Sequence, residues 1–349
     1  SGLRTGEAAC CDMPETFGGF VRDSERGELG RGAFAVVYAC ERKSDSAKFA
    51  AKALDLRQLR LFVDPAREVK KLRREATVLQ QLPPHPNLVK FVDVIQEGHW
   101  LIFLLELVEG GNLYKALVSR PTGRDGRSKL REPEACHVFR QLVDGLNVLH
   151  SLNVVHRDLK LENVLVVQKR AVGRDLLLDV KIADFGLSKS VGEGVSEARS
   201  TVGSPRYMAP EVIAKGPHDR PADLWSLGIL AHVMLDGRFP CTGASAKAPQ
   251  KAVDAAIGRL PVSPAARDAV LRLLRREPAE RLTAPQLCSH PWLSGGGRAS
   301  AAAAEGEGAA AAPFAAVAVA SREGRPRPRG PGGGADGGAK RLRAASAGP

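Results

Sequence analysis

Two short stretches decide how this chain reads: HRDLKLEN, from His156 to Asn163, and DFG, from Asp184 to Gly186. Together they supply carboxylates at Asp158 and Asp184, a carboxamide at Asn163 and a cation at Lys160. A carboxylate placed against a hydroxyl is a candidate base. A carboxylate and a carboxamide oxygen are candidate ligands for a hard cation. The short separation makes the pair of strings far more specific than either alone.

Working outward, the pattern from Glu28 to Lys52 is two apolar stretches around the charged turn ERKSDSAK, which predicts strand, Gly-rich turn, strand, hairpin, strand. Val69, Leu72, Ala76 and Leu79 recur at three- and four-residue spacings. They predict a helix over 64–82 with one buried face, set off by Pro65 and Pro83. Strand-like runs over 88–96 and 100–107 follow, and Gly110 with Gly111 then interrupts the pattern. Further on, Cys136, Phe139, Leu142, Val143, Leu146 and Leu149 predict a buried helix leading into His156, and 224–235 reads as another apolar helix. After Trp292 the chain turns rich in Ala, Gly, Arg and Pro, too poor in large apolar residues to offset the entropy of ordering. Residues 294–349 are therefore expected to be a disordered tail.

Composition sets bounds. A chain of 349 residues that is 44% hydrophobic can build a large core and still carry an unstructured segment. Its formal charge is +12, but residues 294–349 hold 8 Lys/Arg against 4 Asp/Glu, so +4 of it lies in the tail. No nucleic-acid motif accompanies the charge, and nucleic acid is not an expected partner. Cys10, Cys11, Cys40, Cys136, Cys241 and Cys288 form no CxxC pair, which argues against a zinc site and suits a reducing cytoplasm or nucleus. The most apolar run, 100–108, contains Glu106 and falls well short of the roughly 20 residues that cross a bilayer. No membrane segment is expected, and the first 19 residues show no signal-peptide core.

Taken with the rest of the chain, these strings resemble the protein kinase family. Gly30, Gly32 and Ala35 fill the small positions of GxGxxG, and Val37 follows. Lys52 in FAAK is similar to the third-strand VAIK lysine, and Glu75 lies in the following helix. APE (209–211), DLWSLG (223–228) and PAERLTAPQLCSHPW (278–292) continue the order. Taken singly, Gly30 and Gly32 read as ordinary hairpin glycines, Lys52 and Glu75 as a solvated pair with Glu68 competing, and His156 as a satisfied core histidine. The ordered series is what lifts them.

The resemblance implies an α+β, bilobal fold over 23–293, with a β-rich N-lobe to about 106, a hinge over 106–112 and a mostly helical C-lobe over 113–293. Residues 1–22 are expected as a flexible leader. It also implies ATP and Mg2+ as cofactors and protein Ser/Thr hydroxyls as acceptors. Asp158 would orient the hydroxyl, Lys160 would contact the γ phosphate, and Asn163 and Asp184 would hold magnesium. Lys52 would contact the α and β phosphates and pair with Glu75. Leu29, Gly30, Gly32, Val37, Ala50 and Leu165 would enclose the nucleotide, Glu106 and Val108 would offer it backbone groups, and Leu105 would guard the back of the pocket. Leu79, Phe91, His156 and Phe185 would stack into a spine, and Glu211 would pair with Arg281. Lys160 and Ser204 point to the Ser/Thr class, and RLTAPQLCSHPW is similar to its calmodulin-dependent and checkpoint-like branch.

Arg157 implies control by activation-loop phosphate, placed at Ser200 or Thr201 by an activating kinase and held by Arg157, Lys189 and Lys71. Calmodulin is not expected, because the tail shows no basic amphipathic helix. Asn112 stands where Arg-directed kinases often carry Glu, while Glu162 is retained. Ala35 departs from the third glycine, the connection from Ile257 to Pro264 looks short, and loops over 120–131 and 168–175 look long. The rival reading, a nucleotide-gated scaffold, would predict loss of Lys52, Asp158, Asn163 or Asp184.

Overall fold

The computed structural model describes residues 13–32, 35–59, 65–123, 125–184, 205–216 and 218–295, apart from the side chains of 58, 59, 65–68, 71, 75 and 295. The expectations for the tail beyond Gly295, for residues 1–12 and for the segment carrying Phe185, Lys189, Ser200, Thr201 and Ser204 lie outside them.

The N-terminal part is a seven-stranded antiparallel sheet. Its strands are β1 (Thr16–Phe17), β2 (Phe20–Arg22), β3 (Glu28–Arg31), β4 (Ala35–Arg42), β5 (Lys48–Asp55), β6 (Phe91–Glu97) and β7 (Trp100–Glu106). Strand order is β1-β2-β4-β5-β7-β6, with β3 also on β4. A short helix, α1 (Leu56–Leu59), and the long α2 (Pro65–Gln80) follow β5. The expected strand-turn-strand-hairpin-strand unit and the helix are both present, and α2 buries Leu72, Ala76 and Leu79 as its spacing predicts.

Because side chains alternate along a strand, the sheet has two different faces. Leu54, Leu101 and Phe103 join α2 and the C-lobe in the main core. Ala51, Ala53, Ile102 and Leu104 point the other way, into a second cluster closed by Met13, Phe17 and Phe20. The expected flexible leader is thereby corrected for residues 13–22. This stretch folds as a hairpin over the outer face of the sheet, with Phe20 edge-on to Phe49 at 5.6 Å. Gly18 and Gly19 at its turn have φ of +48° and +86°, the left-handed values that a two-residue hairpin loop of this kind requires.

The C-terminal part contains α3 (Leu113–Val118), α4 (Glu132–Ser151), β8 (Val164–Val172), β9 (Asp175–Ile182), α5 (Pro210–Ile213), α6 (Arg220–Asp236), α7 (Gln250–Gly258), α8 (Pro264–Leu273), α9 (Ala284–Cys288) and α10 (Pro291–Gly295). Every residue of α6 from Ala222 to Leu235 is buried, as befits a helix apolar on all sides. The long loop expected over 168–175 is instead the end of a hairpin. β8 and β9 stay paired out to Val172 and Asp175, and Gly173 takes a left-handed φ of +57° at the turn. The short Ile257–Pro264 connection is present, with Ser263 capping α8.

Gly110 and Gly111 do more than interrupt a pattern. A Cβ on Gly110 would lie 2.1 Å from the Val166 carbonyl oxygen, and Gly111 has a φ of +75°. The chain between lobes thus runs backbone against backbone past β8, where only glycine fits. Arg281 and Glu211 form the implied pair, with contacts of 2.6 and 2.7 Å. The Arg281 side chain is fully buried, and its remaining N–H groups donate to the carbonyls of Arg275, Pro221 and Arg276. All five donors of the guanidinium are used, the condition for burying that charge without a penalty for unmade bonds.

The outer-face cluster makes a stability prediction. Phe17→Ala should lower unfolding free energy by about 3 kcal/mol, the cost of a large-to-small change in a packed cluster. Denaturant unfolding of the variant and the parent measures it, and an unchanged midpoint would mean that the hairpin does not contribute to the fold.

Candidate active site

The HRDLKLEN stretch lies between α4 and β8 and is fixed by hydrogen bonds to buried groups. Asp223, at the start of α6 and 1% exposed, accepts from the backbone N–H of His156 at 2.8 Å and of Arg157 at 2.9 Å, and is joined by the His150 ring at 2.9 Å. Burial alone would raise the Asp223 pKa, but the bonds from His150 and the nearby His156 outweigh it and hold the carboxyl below its ordinary value. Arg157 has a φ of +68°, a conformation L-residues rarely adopt, so the clamp secures a turn the chain would otherwise leave.

His156 is buried and fully engaged. The Asp158 N–H donates to its Nδ1 at 3.1 Å, so the ring proton sits on Nε2 and donates to the Ala183 carbonyl at 2.9 Å. With both nitrogens committed, the imidazole is a structural tie between this loop and the strand end that carries Asp184, as its reading as a satisfied histidine expects.

Asp158 faces Lys160, whose Nζ is 2.6 Å from its Oδ2. Asn163 donates through Nδ2 to the Asp158 carbonyl at 2.8 Å and to its Oδ2 at 3.1 Å. That fixes the amide orientation and leaves the carboxamide oxygen directed elsewhere. Across the cleft, Lys52 on β5 reaches Asp184 at 2.9 Å. Burial pushes the Asp184 pKa up, while Lys52, and less directly His156 and Lys160, more than offset this and keep it below the ordinary carboxylate range. Asp184 also has a left-handed φ, +60°.

The cross-strand register places the nucleotide candidates of the sheet on one face. Val37 pairs with Lys52, Ala39 with Ala50 and Ala50 with Leu105, so Val37, Ala50, Lys52 and Leu105 share the face toward the C-lobe. Leu165 lies on β8, bridged to Asn112 at the end of the hinge. Leu29 is exposed on β3, and a Cβ on Gly30 would meet nothing within 4 Å. Gly30 lies at a register irregularity between β3 and β4, where a glycine is common. Gly32 closes the turn through its N–H to the Ala35 carbonyl at 2.7 Å.

At the hinge, the Glu106 side chain is bound by Lys181 at 2.6 and 2.7 Å and by the Lys90 N–H at 3.0 Å. Among the described residues, the Val108 N–H makes no backbone hydrogen bond. The expected Lys52–Glu75 pair lies outside the described side chains. Asn112 is the N-cap of α3, its Oδ1 accepting from the Lys115 N–H at 2.9 Å, which removes it as a substitute for an arginine-binding Glu. The string DLWSLG by itself gives Asp223 no role. Its partners lie 66 and 67 residues away, so no spacing rule could assign it.

A small sheet lobe, a helical lobe and a cleft joining Lys52 to Asp184 beside Asp158 and Asn163 make up the architecture, and the chain belongs to the protein kinase family, whose protein kinase domain matches residues 24–293. Its relatives are serine/threonine kinases. It is similar to a probable myosin light chain kinase of Dictyostelium discoideum, 34% identical over 274 residues, covering 77% of this chain and 81% of that one. Calcium/calmodulin-dependent protein kinase type II of Caenorhabditis briggsae is 36% identical over 282 residues, covering 78% and 49%. A crystal structure of Rad53 residues 1–466 with AMP-PNP superposes with a TM-score of 0.60 at 26% identity, over 79% of this chain and 65% of that one. The chain thus spans about half the length of its calmodulin-dependent relatives. These likenesses bear out the fold and the Ser/Thr type that the motifs implied.

Asp223→Asn should lower unfolding free energy at pH 7 by about 3 kcal/mol, because buried donors lose their ionised acceptor. A carboxyl with a depressed folded pKa stabilises fully above its unfolded pKa, about 3.9, and that contribution is lost as pH falls through the folded value. The gap between parent and variant should therefore narrow below about pH 4. A gap that stayed constant there in pH-dependent unfolding would refute the assignment.

Proposed function

We propose that this chain transfers the γ phosphate of ATP to serine and threonine hydroxyls of proteins, with magnesium as the accompanying cation. The observation that carries the reading is the convergence from two lobes of Lys52 on Asp184, 2.9 Å apart, beside a loop in which Lys160 and Asn163 both contact Asp158. The donor set fits magnesium. It combines one carboxylate, at Asp184, with a carboxamide oxygen at Asn163 whose nitrogen is already fixed. Two protein oxygens of this kind suit an ion that is otherwise held by substrate phosphates and water. When bound, that ion would neutralise charge on the phosphates. The protein groups then do the rest. Asp158 orients the hydroxyl and accepts its proton, Lys160 holds the Asp158 carboxylate and faces the incoming phosphoryl group, and Lys52 positions the remaining phosphates. The scaffold alternative would require loss of Lys52, Asp158, Asn163 or Asp184, and all four are present.

The test is labelled ATP and magnesium with a mixed peptide library, beside Asp158→Asn. Label on Ser or Thr should fall by about 10²- to 10⁴-fold in the variant, the usual worth of a positioned acid–base group. Equal labelling by parent and variant would overturn the assignment of Asp158, and no labelling by either would favour the scaffold.

Control by phosphate belongs to the same proposal. Glu211, at the far end of the activation segment, is anchored by Arg281, and Arg157 supplies a cation beside the catalytic aspartate. Phosphate on Ser200 or Thr201 would order the chain between these points. Ser200→Ala with Thr201→Ala should cut the rate by about tenfold, the worth of one charge-assisted hydrogen bond, and full activity in the double variant would exclude the mechanism. Several relatives are named for calcium and calmodulin. For this chain, adding both is expected to leave the rate unchanged, and a rise in rate would refute that.

A further inference from the structure

Outside the cleft, a groove of about 260 Å³ opens between the end of α3, the loop leading to α4 and the β8–β9 hairpin. Ala116, Pro121, Leu176 and Leu178 line it with apolar surface, while Lys169 and Arg174 stand in its lining from the hairpin. The register explains the arrangement. Lys169 is directly opposite Leu178, and Leu176 lies two residues before it, so Lys169 and both leucines share one face of the hairpin, while Arg174 joins the lining from the turn.

The floor is held rigid by Glu134, 1% exposed at the start of α4. Its carboxylate accepts from Arg120 Nη2, from the Arg131 N–H and Nη2, and from the Leu176 N–H, each at 2.8 Å. This one group ties the loop, the helix and the hairpin together, and it consumes the charge of Arg120 and Arg131. Lys169 and Arg174 are different. Both are exposed, and among the described residues neither side chain has an ion-pair or hydrogen-bond partner. The neighbouring Arg170 is taken by Asp179, with bonds of 3.0 and 2.9 Å.

The geometry points to a docking site for a short acidic peptide segment of a partner protein, with an apolar side chain on the leucines and flanking carboxylates on Lys169 and Arg174. The volume, below the roughly 300 Å³ of the smallest small-molecule pockets, suits one or two side chains of an extended segment. The two unneutralised cations on a rim above an apolar floor give the charge complementarity that selects such a segment. The protein's own basic tail has the wrong sign to occupy it. None of these residues belongs to the catalytic cleft, so the inference stands apart from the phosphotransfer reading.

The test uses the full chain and fluorescein-labelled eight-residue peptides of Glu and Leu, of Glu and Gly, and of Lys and Leu, with binding read by fluorescence polarisation. The Glu-Leu peptide should bind about tenfold more tightly than the Glu-Gly peptide, and the Lys-Leu peptide should not bind. Lys169→Ala with Arg174→Ala should weaken Glu-Leu binding by about tenfold, the product of two partly exposed ion pairs. A charge-matched control, Lys247→Ala with Lys251→Ala, should not. Equal losses in the two double variants, or no loss in either, would overturn the proposal as mere attraction to a basic chain. Binding of poly(U) with the same dependence on Lys169 and Arg174, at equal or higher affinity, would also overturn it in favour of a general polyanion surface. Kinase activity on a peptide that does not engage the groove should be unchanged in both variants, which separates this outcome from failure of the phosphotransfer reading.

Discussion

The structure depends on one buried carboxylate. Asp223 holds the backbone of His156 and Arg157 in a conformation with positive φ, and everything downstream in the cleft inherits its position from that turn. The Asp158 N–H meets the His156 ring because the turn presents it there, and the ring in turn reaches the carbonyl just before Asp184. A strained loop of polar groups keeps one geometry only when its surroundings over-determine it. Here the surroundings are α6, buried from Ala222 to Leu235, with the carboxylate near its start almost fully enclosed. The stability of the helical lobe and the precision of the site are thus the same set of bonds.

Much of this was legible in the sequence, for reasons that differ by element. The helix α2 announced itself because one face is buried and one is not, so Leu72, Ala76 and Leu79 had to fall on a helical period. The cleft residues were legible only through motif order, since no period singles out Lys52 or Asp158. The hairpin at residues 16–22 carried a readable signal, Gly-Gly between two phenylalanines, but sat in a stretch too short and polar to look like part of a domain. The outer strands of β8–β9 were read as loop because Gln168, Lys169 and Arg170 are all exposed, and a strand with little to bury shows no clear alternation. The role of Asp223, like the Glu134 knot, is purely tertiary. Each is a single acidic residue whose partners come from distant segments.

The two faces of the N-lobe sheet divide its duties. The face toward the cleft places small or branched residues beside Lys52, while the opposite face is closed by aromatic residues from before the first glycine of the loop. A sheet covered on both sides loses the option of bending about its own plane. The lobe then behaves as one body, and the position of Lys52 is set by the orientation of the whole sheet.

That orientation turns on Gly110. A contact that any side chain would spoil is also a contact with no side chain to repack when it rotates, since a backbone hydrogen bending past the Val166 carbonyl changes no rotamer. Resistance to opening must come from other ties between the lobes, which include the backbone bonds of Asn87 and Val89 to Ile182 and two ion pairs with different leverage. Lys181 grips Glu106 close to the axis, and Lys52 grips Asp184 far from it. A small angular change leaves the first nearly intact while pulling the second apart, so the cleft opens by giving up its outermost ion pair while its inner one acts as the pin.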